Sequence, residues 1–303
     1  MGTDRRVVRG DGGRDLEVLS SGAPDRGGRP PVVFHLGTPA GVAELPPVLL
    51  PADGTQVVLY SRPGYGRSTP HPGRAVADAA RDTAAIVDAL DIDTFVTVGW
   101  SGGGPHALAC AALLRARCTA CAVIAGLAPY PAPVRDWTEG KAGVVLRGDD
   151  DELQTACDAD RDAHSGLRGR DMATLFPAPA DAGALTGAYA DWLADVMRSA
   201  SLNGSSGQRD DWKAFVSDWG FDLGDARGVT LWHGDQDDIV TPAHSRWLKD
   251  HLPDSTVRLV SGEAHISIGL RLPEVIDDLT RRAAPALCAF ACIESSCFGA
   301  RLP

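Results

Sequence analysis

A chain of 303 residues with 44% hydrophobic side chains, 40 acidic and 29 basic residues and a formal charge of −11 can bury a large core and lacks the bias of a disordered polypeptide. Its acidic balance argues against nucleic acid as a partner, because phosphate backbones are bound by clustered Lys and Arg and the only lysines are Lys141, Lys213 and Lys249. Charges interrupt the N-terminal MGTDRRVVRGDGGRDLEVL where a signal peptide needs an apolar run, and no stretch approaches the ~18 apolar residues of a membrane span, so neither secretion nor a bilayer is expected. Seven cysteines is an odd number, and Cys110, Cys118, Cys121 and Cys157 sit among alanines and aliphatics. They read as small buried hydrophobes in a reducing cytoplasm. Cys118 and Cys121 form one CxxC without a second ligand pair, so no metal is expected.

Residues 5 to 20 read as a hairpin, RRVVR and DLEVL around the turn residues Asp11, Gly12 and Gly13. Short apolar runs of buried-strand character follow: VVFHL (32 to 36), QVVLY (56 to 60), TFVTVGW (94 to 100), TACAVIAGL (119 to 127), VTLWHG (229 to 234) and STVRLV (255 to 260). Helical spacing lies between them over residues 74 to 90, 102 to 114 and 242 to 251. This alternation predicts an α/β protein with a mostly parallel sheet covered on both faces. It stops near Pro129, where Pro, Gly and Asp punctuate short helical patterns, and resumes at Val229. The expected organisation is therefore a core of residues 1 to 128 and 227 to 284, interrupted by a helical cap over 129 to 226. A tail from 285 to 303, with Cys288, Cys292 and Cys297, fits neither pattern.

Gly99, Trp100, Ser101, Gly102 and Gly103 make a GxSxG between a β-rich run and an alanine- and leucine-rich helix. The pattern alone is weak evidence in a glycine-rich chain, but its context is what a sharp strand-to-helix turn exposing a nucleophilic serine requires. A serine hydroxyl needs an adjacent base, and the base an orienting carboxylate. Two later strands end in loops that carry them: VTLWHGDQDDIVTP holds Asp235, Asp237 and Asp238, and TVRLVSGEAHISI holds His265. In a parallel sheet both loops leave the same edge as Ser101.

With these motifs in this order, from about Val32 to Leu270, the chain resembles a capped member of the α/β-hydrolase fold superfamily. FHLGTPAG is similar to the family's oxyanion loop, YSRPGYGRS to the loop after an early strand, GWSGGG to its nucleophile elbow, HGDQDDIVTP to its acid loop and GEAHIS to its histidine loop. The resemblance implies a serine hydrolase with Ser101 as nucleophile, His265 as base and Asp237 as acid, the last from mapping GxxDxxxxP onto Gly234, Asp237 and Pro242. It implies Gly102 and Thr38 as oxyanion donors, although Leu36 stands before Gly37 where the family commonly has His, and His35 lies one residue earlier. Ser101 also excludes relatives that use an aspartate nucleophile, the haloalkane dehalogenases and soluble epoxide hydrolases. The expected reaction is cleavage of a small-molecule carboxylic ester or related acyl bond, with no cofactor. One alternative is an aminopeptidase resembling proline iminopeptidases, whose elbow usually reads GxSWG. A non-catalytic binding protein of the same fold, the other alternative, would be expected to lose a member of the Ser, Asp and His set. Of the aromatic residues in the cap, Trp137, Phe176, Tyr189, Trp192, Trp212, Phe215, Trp219 and Phe221, most are expected to pack its helices rather than line a pocket.

Overall fold

The computed structural model describes residues 3–22, 29–51 and 53–283. The tail expected from residue 285 onward, with its three cysteines, lies outside the described residues. Eight strands form one sheet: β1 (Thr3–Arg9), β2 (Asp15–Ser21), β3 (Val32–His35), β4 (Val57–Tyr60), β5 (Phe95–Trp100), β6 (Cys118–Ile124), β7 (Val229–Gly234) and β8 (Thr256–Val260), in the spatial order β1-β2-β4-β3-β5-β6-β7-β8. The expected hairpin is β1 and β2, antiparallel from Thr3↔Ser21 to Arg9↔Asp15; β2 is also antiparallel to β4, and every pairing from β4 through β8 is parallel. This is the mostly parallel sheet that the strand and helix alternation predicts.

The runs are apolar throughout because both faces are covered, and alternate side chains divide between two cores. Val33, Val58 and Leu231 point to one, with Leu108 of α2 (Gly104–Leu113) and Ile86 of α1 (Asp78–Ala89). Val32, Phe34, Val57, Leu59, Val96, Val98 and Trp232 point to the other. Phe34 and Leu108 are fully buried, so truncating either to alanine costs about 2–5 kcal/mol. The exposed edge strand β1 carries Asp4, Arg5, Arg6 and Arg9, charges that oppose edge-to-edge pairing.

Between β6 and β7 the chain makes six helices: α3 (Gly140–Arg147), α4 (Asp150–His164), α5 (Gly169–Leu175), α6 (Pro179–Ala184), α7 (Gly187–Ala200) and α8 (Ser206–Val216). Local chemistry sets several of their ends. Asp149 caps α4 by accepting the Glu152 N–H at 2.8 Å, and Gly148, at φ 76°, closes α3 in the left-handed conformation. Residues 188 to 200 turn Tyr189, Trp192, Leu193, Val196 and Met197 to one side, which joins the second core. After β7 come α9 (Ala243–His251), β8 and α10 (residues 272–283).

Candidate active site

Strand β5 ends at Trp100 and α2 begins at Gly104, so the chain reverses within the three residues between them. Ser101 sits there at φ 54°, a left-handed conformation that costs about 1–3 kcal/mol for a residue with a side chain and that the surrounding packing must hold. The glycines make that packing possible. A Cβ on Gly99 would collide with the Gly103 carbonyl, and one on Gly103 would strike the His35 carbonyl on β3.

The loops after β7 and β8 meet this turn. His265 Nε2 lies 3.0 Å from Ser101 Oγ, and His265 Nδ1 lies 2.8 Å from Asp237 Oδ2. The carboxylate can only accept, so Nδ1 carries the proton and Nε2 is left to accept from the serine hydroxyl. Asp237 Oδ1 accepts two backbone N–H groups, Ile239 at 3.0 Å and Val240 at 2.9 Å. Burial would raise its pKa, but the neighbouring His265 and His233 and the hydrogen bonds hold it well below the usual carboxylate range. Burial likewise pulls the His265 pKa down, and the charge of Asp237 overrides it to a net rise. Asp235 and Asp238 are exposed on the same loop, and Asp235 accepts the Gly262 N–H at 2.8 Å.

His233, near the end of β7, supports the acid. Its Nε2 lies 2.7 Å from the Val240 carbonyl and 3.2 Å from Asp237 Oδ2, and its Nδ1 2.7 Å from Ser245 Oγ. A carbonyl needs a donor, so Nε2 is protonated and Nδ1 accepts from the serine. His35 does not reach the site: it is buried in the core, with Nε2 3.6 Å from Cys110 Sγ, and burial lowers its pKa strongly. The four described cysteines are buried and free, and burial raises the Cys110 thiol to about 12. No group of three or more His, Cys, Asp or Glu among the described residues could hold a metal ion, and none of the described helices is long and apolar enough to cross a membrane.

The loop after β3 forms the opposite wall. A Cβ on Gly37 would lie 3.4 Å from Ser101 Cβ, and one on Gly102 would collide with the Thr38 side chain and lie 3.1 Å from Phe215. Thr38 and Gly102 therefore adjoin beside Ser101. Helices of the insertion brace both walls. Asp181 of α6 accepts the Ile266 and Ser267 N–H groups at 2.9 and 2.8 Å, and Tyr189 of α7 donates to the Ile266 carbonyl at 2.6 Å, which fixes the histidine loop. Asp211 of α8 accepts from Thr38 Oγ1 at 2.6 Å. Neither aspartate was identifiable as a site residue in the sequence: both lie in short helical segments, and no local pattern marks which carboxylates turn inward.

Two cavities open onto Ser101. The smaller, about 130 Å³, runs between Leu36, Trp100, Phe176, Trp192, Val196 and Met197 and reaches His265. The larger, about 400 Å³, is bordered by Gly102, Leu127, Trp137, Trp212, Phe215 and Val240, with Glu139, Lys141 and Asp238 adding charge. Five of the eight aromatic residues between β6 and β7 singled out above thus border one of these two cavities, more than the expectation of packing allowed. Of the others, Trp219 donates its indole N–H to the Phe215 carbonyl at 3.1 Å, with Phe221 beside it, and Tyr189 spends its hydroxyl on the histidine loop.

Comparison with known proteins agrees with this fold. A family model described as alpha/beta hydrolase fold matches residues 30–271. An uncharacterized hydrolase of Bacillus subtilis, YcgS, is 33% identical over 106 residues, 34% of this chain and 36% of that one. The match thus spans about a third of the length of that curated relative. Among solved structures, an alpha/beta hydrolase fold protein from Chitinophaga pinensis superposes with a TM-score of 0.66 at 16% identity, covering 91% of this chain and 95% of that one. A thermophilic esterase from Thermogutta terrifontis gives 0.64 at 17% identity, over 93% and 99%. At these identities the two solved structures speak for the fold.

Proposed function

Because the chain belongs to the alpha/beta hydrolase fold family, we propose that this enzyme is a serine hydrolase that cleaves a small-molecule carboxylic ester through an acyl-enzyme. One observation carries the reading, the unbroken hydrogen-bonded line from Ser101 Oγ through His265 to Asp237, with distances of 3.0 and 2.8 Å. Ser101 is the nucleophile, His265 the general base and Asp237 the acid that holds the imidazole in the tautomer whose Nε2 accepts.

In the first half-reaction His265 takes the hydroxyl proton as Ser101 Oγ bonds to the carbonyl carbon. The carbonyl oxygen becomes an oxyanion that the backbone N–H groups of Gly102 and Thr38 stabilise. Collapse breaks the bond to the alkoxy group, which leaves with the proton from His265. Water then repeats the sequence, releasing the acid and restoring Ser101. The smaller cavity receives an aliphatic group of the ester and the larger receives the remainder. Residues 129 to 226 act as a cap that walls both and keeps water from the acyl bond.

Fluorophosphonate labelling tests the mechanism directly. Wild-type protein should be labelled at Ser101, and Ser101→Ala should lose both labelling and hydrolysis of short aryl esters, on the order of 10⁴-fold or more. Labelling that persists in the mutant rejects the reading. Comparison of p-nitrophenyl acyl esters with proline amides at equal concentration tests the bond type: the esters should be preferred, and a preference for the amides would replace the esterase with an aminopeptidase.

A further inference from the structure

A buried ionic cluster lies behind the loop after β3. Asp211 of α8 is fully buried, and it accepts hydrogen bonds from Arg62 Nη2 at 2.6 Å, Arg74 Nη2 at 2.6 Å, the Tyr65 hydroxyl at 2.8 Å and the Thr38 hydroxyl at 2.6 Å. Arg62 and Arg74 are nearly as buried. Burial alone would raise the pKa of Asp211, but the two guanidinium charges hold it far below the usual carboxylate range. His106 lies 3.8 Å away and is kept neutral, its pKa lowered to about 3 by burial and the arginines. A cluster of this kind is costly to bury and is weak grounds for stability by itself. Its other contacts point to a different role.

Arg62 donates to the Leu36 carbonyl, to the Gly37 carbonyl at 2.8 Å and to Thr38 Oγ1 at 2.9 Å. It thus grips the oxyanion loop at three successive residues. In the trans Gly37–Thr38 peptide the C=O and N–H point in opposite directions, so tying the Gly37 oxygen to Arg62 turns the Thr38 N–H away from Arg62. The Thr38 hydroxyl is also committed: its proton goes to Asp211, which can only accept, and its lone pair takes Arg62. The side chain is therefore unavailable to an oxyanion, which leaves the backbone N–H.

We propose that Arg62 and Asp211 are positioning residues that aim the Thr38 N–H at the developing oxyanion, so that a helix of the insertion sets the donor geometry of the core. This rests on the assignment of Thr38 under the proposed function. A planar guanidinium supplies the several fixed donors that two carbonyls and a hydroxyl require, which a lysine cannot reproduce. Asp211 neutralises it and holds its plane, and Arg74, also bonded to the Gly207 carbonyl at 2.9 Å, holds Asp211.

Asp211→Asn and Thr38→Val each cut one link of this chain with little change of shape. Each should lower kcat for p-nitrophenyl acetate about 10- to 100-fold, less than outright loss of an oxyanion donor, with KM within about threefold. Inhibition by phenylboronic acid, whose serine adduct is tetrahedral and fills the same oxyanion position, should weaken by the factor lost in kcat. The double variant should fall no more than about threefold below the weaker single variant, because both cut the same link. Wild-type kcat in folded Asp211→Asn would overturn the proposal. So would a loss carried by KM alone, undiminished boronate inhibition, or single-variant losses that multiply. If circular dichroism shows Asp211→Asn unfolded, Thr38→Val decides by the match between its kcat and boronate losses. Failure of the wild type to react with fluorophosphonate would instead remove the hydrolase reading, and this proposal with it.

Discussion

Two buried aspartates flank Ser101 and differ in what surrounds them. Asp237, on the loop after β7, faces the imidazoles of His265 and His233; Asp211, on α8, faces the guanidiniums of Arg62 and Arg74. Both carboxylates are held ionised by those neighbours against the opposing effect of burial. An imidazole can release its proton near neutral pH and a guanidinium cannot, so the first arrangement can cycle a proton while the second is electrostatically fixed. The partner, rather than the carboxylate, decides whether a buried acid belongs to the chemistry or to the scaffold that aims it.

Substitution at the two positions should separate these roles. Asp237→Asn should cost the most after loss of the nucleophile itself, about 10³- to 10⁴-fold in kcat, because the amide can donate to Nδ1 and favour the wrong imidazole tautomer. Steady-state hydrolysis of an aryl ester measures this, and a loss comparable to that of Asp211→Asn would erase the contrast.

The pH profile sharpens it. His265 must be neutral to act as base and its pKa is raised, so kcat/KM should climb with pH through a midpoint above the ordinary histidine value of about 6.5. Asp237→Asn should move that limb to lower pH, whereas Asp211→Asn should leave it in place while lowering the plateau. A shift of the limb in both variants would show that the two clusters are coupled. Stability has its own signs. The raised His265 contributes below its unfolded pKa and the contribution fades as pH rises through the folded value; the depressed Asp237 contributes above its unfolded pKa and the contribution fades as pH falls through the folded value. Their pairing should therefore stabilise the protein most between about pH 4 and about pH 6.5, the ordinary values of the two groups, and less as pH rises toward the raised His265 value, which thermal melts across pH would reveal.

The smallest effect is expected away from both aspartates. Trp192 stacks at 6.3 Å on Trp100 and borders the smaller cavity. Trp192→Ala should lengthen the preferred acyl chain in a p-nitrophenyl ester series, with a change of about 10-fold or less in kcat/KM on the best substrate. An unchanged chain-length preference would remove that cavity from the substrate's path.

Most of the core was legible because its signals are local. VVFHL, QVVLY and TFVTVGW became β3, β4 and β5 with one residue trimmed from each, since apolar runs bounded by turn residues have few other ways to be buried. Ser101, Asp237 and His265 were legible because each follows a strand, and parallel strands deliver their ends to one edge. The insertion gave less away. Its helices could be expected, but DADRDAH, PAPADAGA and SGQRDDWK each set aspartate in a short helical pattern, and nothing in them distinguishes exposed Asp162 from buried Asp181 and Asp211. His233 was missed for the same reason: its partners Ser245 and Val240 lie across a loop whose path the sequence does not specify.

The sequence by itself determined an α/β sheet, the turn that exposes Ser101 and the order in which the hydroxyl, carboxylate and imidazole follow one another, because strand periodicity and tight-turn chemistry act over a few residues. Only the tertiary structure decided that α8 delivers a carboxylate behind the Thr38 loop, that α6 clamps the histidine loop, and that two unequal cavities meet at the serine. Those features depend on which side chains of separate helices arrive at the same point, and that is set by the packing of the whole insertion on the sheet.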